Sequence, residues 1–218
     1  MSTGTQAPTT AQDPWKIPVT TGGQGDFELC PAGNYPGTIV ALIDAGFHDA
    51  QDMKSGKPYE RRILIVAFEI TKKKKDGTGF ILAERFTWSM ANNSNFFQLA
   101  CNLTGPKREG ETFDPRVLVG MPVMVQVTNS TVEKNGKSNT YHNIGTVAQF
   151  PEGLPVPIPT RPGITWSVME GKPKPELSWL PYVYGESVSG IIDKSAEAKA
   201  GRIPAAGAVE VEENKPPF

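Results

Sequence analysis

Histidine and cysteine are scarce in this 218-residue chain, which has two of each: His48 and His142, Cys30 and Cys101. Neither pair has the spacing of a zinc site and no CxxC occurs. So few imidazoles leave little acid–base chemistry near neutral pH. There is no phosphate-cradling GxxxxGK[ST] loop, no HExxH and no GxSxG. The Asp and Glu residues are not arranged in the pairs that a metal-dependent nuclease needs. No cofactor, no metal and no enzymatic activity is expected. No apolar run approaches the ~20 residues of a membrane span. Residues 1–12, rich in Thr, Ala and Gln, have neither the basic nor the apolar part of a signal peptide, so the expected location is the cytoplasm. Cys101 falls in an apolar helical stretch, and its pairing with Cys30 is left open.

A charge excess of one sign is also missing, since the net charge is −1. Its distribution is uneven. Residues 28–149 carry fourteen Lys and Arg against twelve Asp and Glu, while the flanks carry eight against eleven. A weakly basic middle between acidic flanks does not fit a strongly basic, sequence-specific duplex binder.

What the chain has in quantity is proline and glycine, twenty and twenty-two, crowded toward the ends. Residues 1–27 hold few large apolar groups and read as a flexible arm. Beyond Phe150, Pro151, Pro155, Pro157, Pro159 and Pro162 alternate with apolar residues, the pattern of an extended segment laid along a surface. Trp166, Trp179, Leu180, Tyr182, Val183 and Tyr184 are too apolar for a free linker. Residues 151–193 are therefore expected to dock on the body or on a neighbouring subunit. From Lys194 to the end, Ala, Gly, Lys and Glu read as a disordered tether.

The body, residues 28–150, has strand signals at 35–44 and 61–70, and after an Asp76-Gly77 turn at 80–88. The period then changes. Asn92 or Ser94 can cap a helix in which Phe96, Phe97, Leu99, Ala100 and Leu103 recur at helical spacing until Gly105-Pro106 ends it. A short turn at 114–118 precedes strands at 122–129 and 140–149. Three strands, a helix and two strands make a mainly β fold, a five-stranded OB-fold Greek-key barrel with the helix plugging its open end.

Two runs support that assignment: Cys30-Pro31-Ala32-Gly33-Asn34-Tyr35, and Phe113-Asp114-Pro115-Arg116-Val117-Leu118-Val119-Gly120. With the terminal Glu210, Glu212, Glu213, Pro216, Pro217 and Phe218, they resemble bacterial and phage single-stranded-DNA-binding proteins. The resemblance implies sequence-independent binding of single-stranded DNA in replication, recombination or repair. It also implies that the acidic, Phe-ended tip recruits a helicase, primase, nuclease or recombinase. A bacteriophage origin, with the protein in the host cytoplasm, goes with it.

On an OB-fold, single strands lie across strands two and three and the flanking loops. The candidate contacts there are Phe47, Lys54, Lys57 and Tyr59 in the first loop and Arg61 and Arg62 opening the second strand. Lys72, Lys73, Lys74 and Lys75 follow in the hairpin, then Arg85 and Trp88 in the third strand, and Lys134, Lys137 and Tyr141 around the last loop. Cations track phosphates, and exposed rings stack on bases at ~1–3 kcal/mol each. Two other classes stay open: a phage structural or assembly protein with a β-barrel core, and an OB-type protein–protein adaptor.

Overall fold

A computed structural model of the protein describes residues 28–204 except 109, 135 and 136. In chain order the elements are β1 (Gly33–Gln51), β2 (Pro58–Lys73), β3 (Gly79–Thr87), α1 (Asn95–Thr104), β4 (Pro122–Lys134), β5 (Lys137–Gln149), β6 (Ile164–Ser167), α2 (Val188–Asp193) and α3 (Ala196–Lys199). The strands form one sheet in the order β3-β2-β1-β4-β5, with β6 alongside β1. Every pairing is antiparallel except β1 with β6, which is parallel over Ala41 to Asp44.

β1 is the hub. Its first part, Gly33 to Thr38, pairs with β4, and from Gly37 onward it pairs with β2. Register shifts between Ile39 and Ala41 and between Asp44 and Gly46 bend it, as extra residues in one strand of a ladder do. Gly46 sits at the second bend with φ +81°, where a Cβ would collide with the Glu197 carboxylate and with Val168.

The mainly β reading and the element order hold, but the expected closed five-stranded barrel is not present. The sheet is open. β5 stays beside β4 throughout, and no ladder among the described residues joins it to β3. The sixth strand comes from beyond the expected body and takes the flank of β1 that β4 leaves free. The strands are also longer than their apolar runs. Polar residues of β1 and β2 continue the ladder to Gln51 opposite Pro58, so the expected loop from 45 to 59 shrinks to 52–57.

Residues Ile63 to Ile70 of β2 are buried without a break, as in strands covered on both faces. On the inner face Leu64, Val66 and Phe68 pack with Ile39, Leu42, Phe80 and Leu82 beneath Phe96, Leu99 and Leu103 of α1. Ser94 caps that helix by accepting the Phe97 N–H at 3.0 Å, and Gly105, at φ 82°, ends it. On the outer face Ile63, Ile65 and Ala67 pack with Val40 and Ile43 beneath Trp166, Leu177, Leu180, Val183, Ile191 and Ile192.

The C-terminal segment thus docks on its own sheet. Thr160 donates from its backbone and its hydroxyl to Glu69, at 3.1 and 2.7 Å, holding the proline-rich stretch across the sheet. The first residues of the expected tether from Lys194 pack on the body instead: Ser195 and Glu197 are buried and the Glu197 carboxylate accepts the Phe47 N–H at 3.0 Å; residues 205–218 of it lie outside the described residues. The expected flexible arm, residues 1–27, lies outside the described residues.

Candidate nucleic-acid interface

Successive residues of a strand point to opposite faces, and this separates the two adjacent arginines. Arg62 lies on the inner side, where its Nε and an Nη donate to Asp44 at 3.1 and 2.5 Å. Asp44 is 3 % exposed in its side chain and also accepts from the Ser167 hydroxyl at 2.5 Å and from the Gly46 N–H at 3.2 Å. The Arg62 guanidinium lies 4.1 Å from the centroid of the Trp88 ring. Arg62 and Trp88, both expected to meet nucleic acid, are half-buried and stacked on each other, and Arg62 is also paired with Asp44.

Arg61 is on the opposite face, across the ladder from His48. With Arg85, Ser89, Asn93, Asn95 and Tyr184 it lines an open cavity of about 460 Å3. Its Nε is buried and has no hydrogen-bond partner among the described residues. Neither Arg61 nor Arg85 forms an ion pair among those residues. The Arg85 guanidinium stacks 4.9 Å from the centroid of the Tyr184 ring, whose hydroxyl donates to Glu84 at 2.6 Å. That hydrogen bond and burial push the Tyr184 phenol up to about 12, so it stays protonated. Tyr184 is held at φ 52° in a tight turn between Val183 and Glu186 and is 72 % exposed. Burial lowers the His48 pKa, and the charges of Arg61 and Arg85 push the same way against the Ala45 carbonyl and Glu197. Tyr59, nearly half exposed, stands two residues before Arg61 on the same side of the strand. Lys54 and Lys57 are exposed at the tip beyond it, while the half-buried Phe47 pairs across the ladder with Arg62. Sequence reasoning missed Asn93, Asn95 and Tyr184; the Asn92-Asn93-Ser94-Asn95 run and the Tyr184-Gly185 turn were the signals available.

The second basic cluster is at the other end of β2. Lys72, Lys73 and Lys75 are exposed, and Lys74 lies 5.7 Å from the centroid of the Phe80 ring. The β4–β5 hairpin runs out past the start of β1 on this side and presents Tyr141, nearly half exposed. Lys134 and Lys137 pair in the backbone at its tip. His142 accepts the Cys30 N–H at Nδ1, 3.3 Å away, and burial, reinforced by Lys74, lowers its pKa. Cys30 and Cys101 are free thiols.

The expected path runs across strands two and three and the flanking loops, and the C-terminal segment covers one of the two faces of those strands. Ile63, Ile65, Ala67, Ile81 and Ala83 lie under the C-terminal segment, which leaves the cations in two groups. From Arg61 to Lys73 the strand covers about 40 Å at ~3.3 Å per residue. The tip residues Glu210, Glu212, Glu213, Pro216, Pro217 and Phe218 lie outside the described residues. No helix among the described residues is long and apolar enough to cross a membrane. No protein-family model matches the chain, and neither does any curated protein.

Proposed function

We propose that the protein binds single-stranded DNA without sequence preference, on an OB-type body, in replication, recombination or repair. The observation that carries this reading is the presence of cations and exposed rings toward both ends of β2. Arg61 and Arg85 stand beside Tyr59 and Tyr184, and the four-lysine turn lies on the side of the sheet that presents Tyr141. Such pairs bind phosphates electrostatically and bases by stacking, with no readout of base edges. The OB-type assignment is supported by a first strand that pairs with both the second and the fourth, and by a helix packed beneath the inner face. The acidic tip is proposed to recruit a helicase, primase, nuclease or recombinase.

Fluorescence anisotropy with labelled dT oligomers and duplex DNA over a range of salt tests it. Single strands are expected to bind more tightly than duplex, with affinity falling as salt rises. Replacing Lys72, Lys73, Lys74 and Lys75 by Gln should flatten the log–log salt slope by up to ~0.7 for each phosphate that is no longer neutralised. Equal affinity for duplex, or no binding at low salt, refutes the reading. One observation favours the second class, an assembly protein or adaptor. Leu154, Val156 and Ile158 form an exposed ridge along the proline-rich stretch, Ile158 being 89 % exposed. Concentration-dependent self-association without DNA binding, read by light scattering, would select that class.

A further inference from the structure

We infer that the cavity between Arg61 and Arg85 is a phosphate site, built to take one nucleotide phosphate while the sugar and base extend toward Tyr184 and Tyr59. The inference rests on the nucleic-acid reading and names the group recognised at one end of it.

A buried guanidinium N–H without an acceptor in the protein is unfavourable, and it calls for a partner from outside the chain, a water or an anion. The Arg61 Nε is in that condition, and Arg61 is one of the residues that line the open cavity. Among the described residues no Asp or Glu lines the cavity; its polar lining residues include Arg61, Arg85, Ser89, Asn93, Asn95 and Tyr184. Two cations ringed by donors suit an oxyanion, and the planar guanidinium fork matches phosphate oxygens in pairs. The adjacent acid, Glu84, is engaged by the Tyr184 hydroxyl. About 460 Å3 exceeds what an isolated anion fills and falls within the range of small-ligand sites. Arg85 is ordered in advance by its stacking on Tyr184, and Tyr184 is fixed by a left-handed turn that a non-glycine residue rarely adopts. Held strain of this kind gathers at binding sites.

The test uses the full chain, with inorganic phosphate, thymidine 5′-monophosphate, thymidine and a dT oligomer as probes. Phosphate and the monophosphate are expected to raise the melting temperature in proportion to the logarithm of their concentration, as ligands of the native state do; thymidine should not. Arg61→Gln and Arg85→Gln should each weaken monophosphate binding tenfold or more, with the ligand-free melting temperature within a few degrees of the unmodified protein. With the oligomer, each variant should flatten the salt slope by about 0.7, the amount expected when one phosphate goes unneutralised. Binding of the oligomer with an unchanged slope in both variants overturns the phosphate site and leaves the proposed function standing. Arginine-dependent binding of the monophosphate without oligomer binding supports the site, assigns it to a free nucleotide and removes the proposed function. No response to either phosphate probe at low salt overturns the site.

Discussion

Replacing Arg62 by alanine should destabilise the fold by about 3–4 kcal/mol while leaving the nucleic-acid contacts in place. Asp44 is 3 % exposed and Arg62 26 % exposed in their side chains, so the pair is largely out of water. Removing one partner of such a pair strands the other charge, at a cost of ~3–5 kcal/mol. The residual exposure of Arg62 and the two remaining donors to Asp44, from Ser167 and Gly46, put the loss near the lower end of that range. Removing the stacking on Trp88 adds ~0.5–1 kcal/mol. At roughly 2–4 °C per kcal/mol for a chain of this size, the melting temperature should fall by about 6–16 °C. Thermal unfolding followed by circular dichroism, with urea titration at neutral pH, measures it. Asp44→Asn added to Arg62→Ala should recover part of the loss, because the stranded charge is gone. The neighbouring Arg61→Ala should change stability little. A loss under about 1 kcal/mol for Arg62→Ala, the worth of a surface pair, would refute the reasoning.

Ending the chain at residue 163 should prevent folding rather than trim an appendage. It would uncover Val40, Ile43, Ile63 and Ile65, and four such side chains at ~1.5–3 kcal/mol each rival the whole stability of a domain, ~5–15 kcal/mol; a cooperative melt of the truncated chain would contradict this. Between pH 7 and pH 5 stability should fall. His48 and His142 have folded pKa values lowered by burial, so the unfolded state takes up protons first as pH drops through ~6.5; denaturant midpoints that stay flat over that interval would contradict it. Deleting Glu210 to Phe218 should leave the melting temperature unchanged and abolish capture of replication or recombination proteins, as read by pull-down, with Phe218→Ala reproducing most of the loss.

Alternation and punctuation made most of the elements legible. The Ser94 cap, the 96-99-100-103 spacing and the Gly105-Pro106 stop define a helix without help from the rest of the fold. The outer cover was only half legible. The unbroken burial of Ile63 to Ile70 corresponds to an unbroken apolar run, and such a run asks for a second covering layer. That layer lies a hundred residues downstream, where aromatic and aliphatic residues scattered among prolines show no single period. The fate of Arg62 was not legible at all, because its partner Asp44 reaches it through a bulge and a ladder whose register the sequence does not display. Tyr184 joined the site for a similar reason, carried to Arg85 by the folding back of the C-terminal segment. Pairwise chemistry across distant segments depends on register, and register is settled by packing.

Closure of the outer face by the C-terminal segment gives the binding proposal a geometric consequence. Two basic and aromatic groups about 40 Å apart form a two-point contact, and a strand reaching both acts as a bivalent ligand. At the ~3.4 Å rise of a stacked strand, that span needs about a dozen nucleotides. A dT6 oligomer can engage only one end, whereas dT20 can engage both. Affinity should therefore rise steeply between these lengths, by more than the added number of binding registers gives, because the second contact forms at high effective concentration. Replacing Lys72, Lys73, Lys74 and Lys75 by Gln should remove the step and leave dT6 binding through Arg61 and Arg85 largely intact. Arg61→Gln should weaken both lengths. A smooth length dependence that the lysine variant does not alter would mean that the two ends do not share one strand.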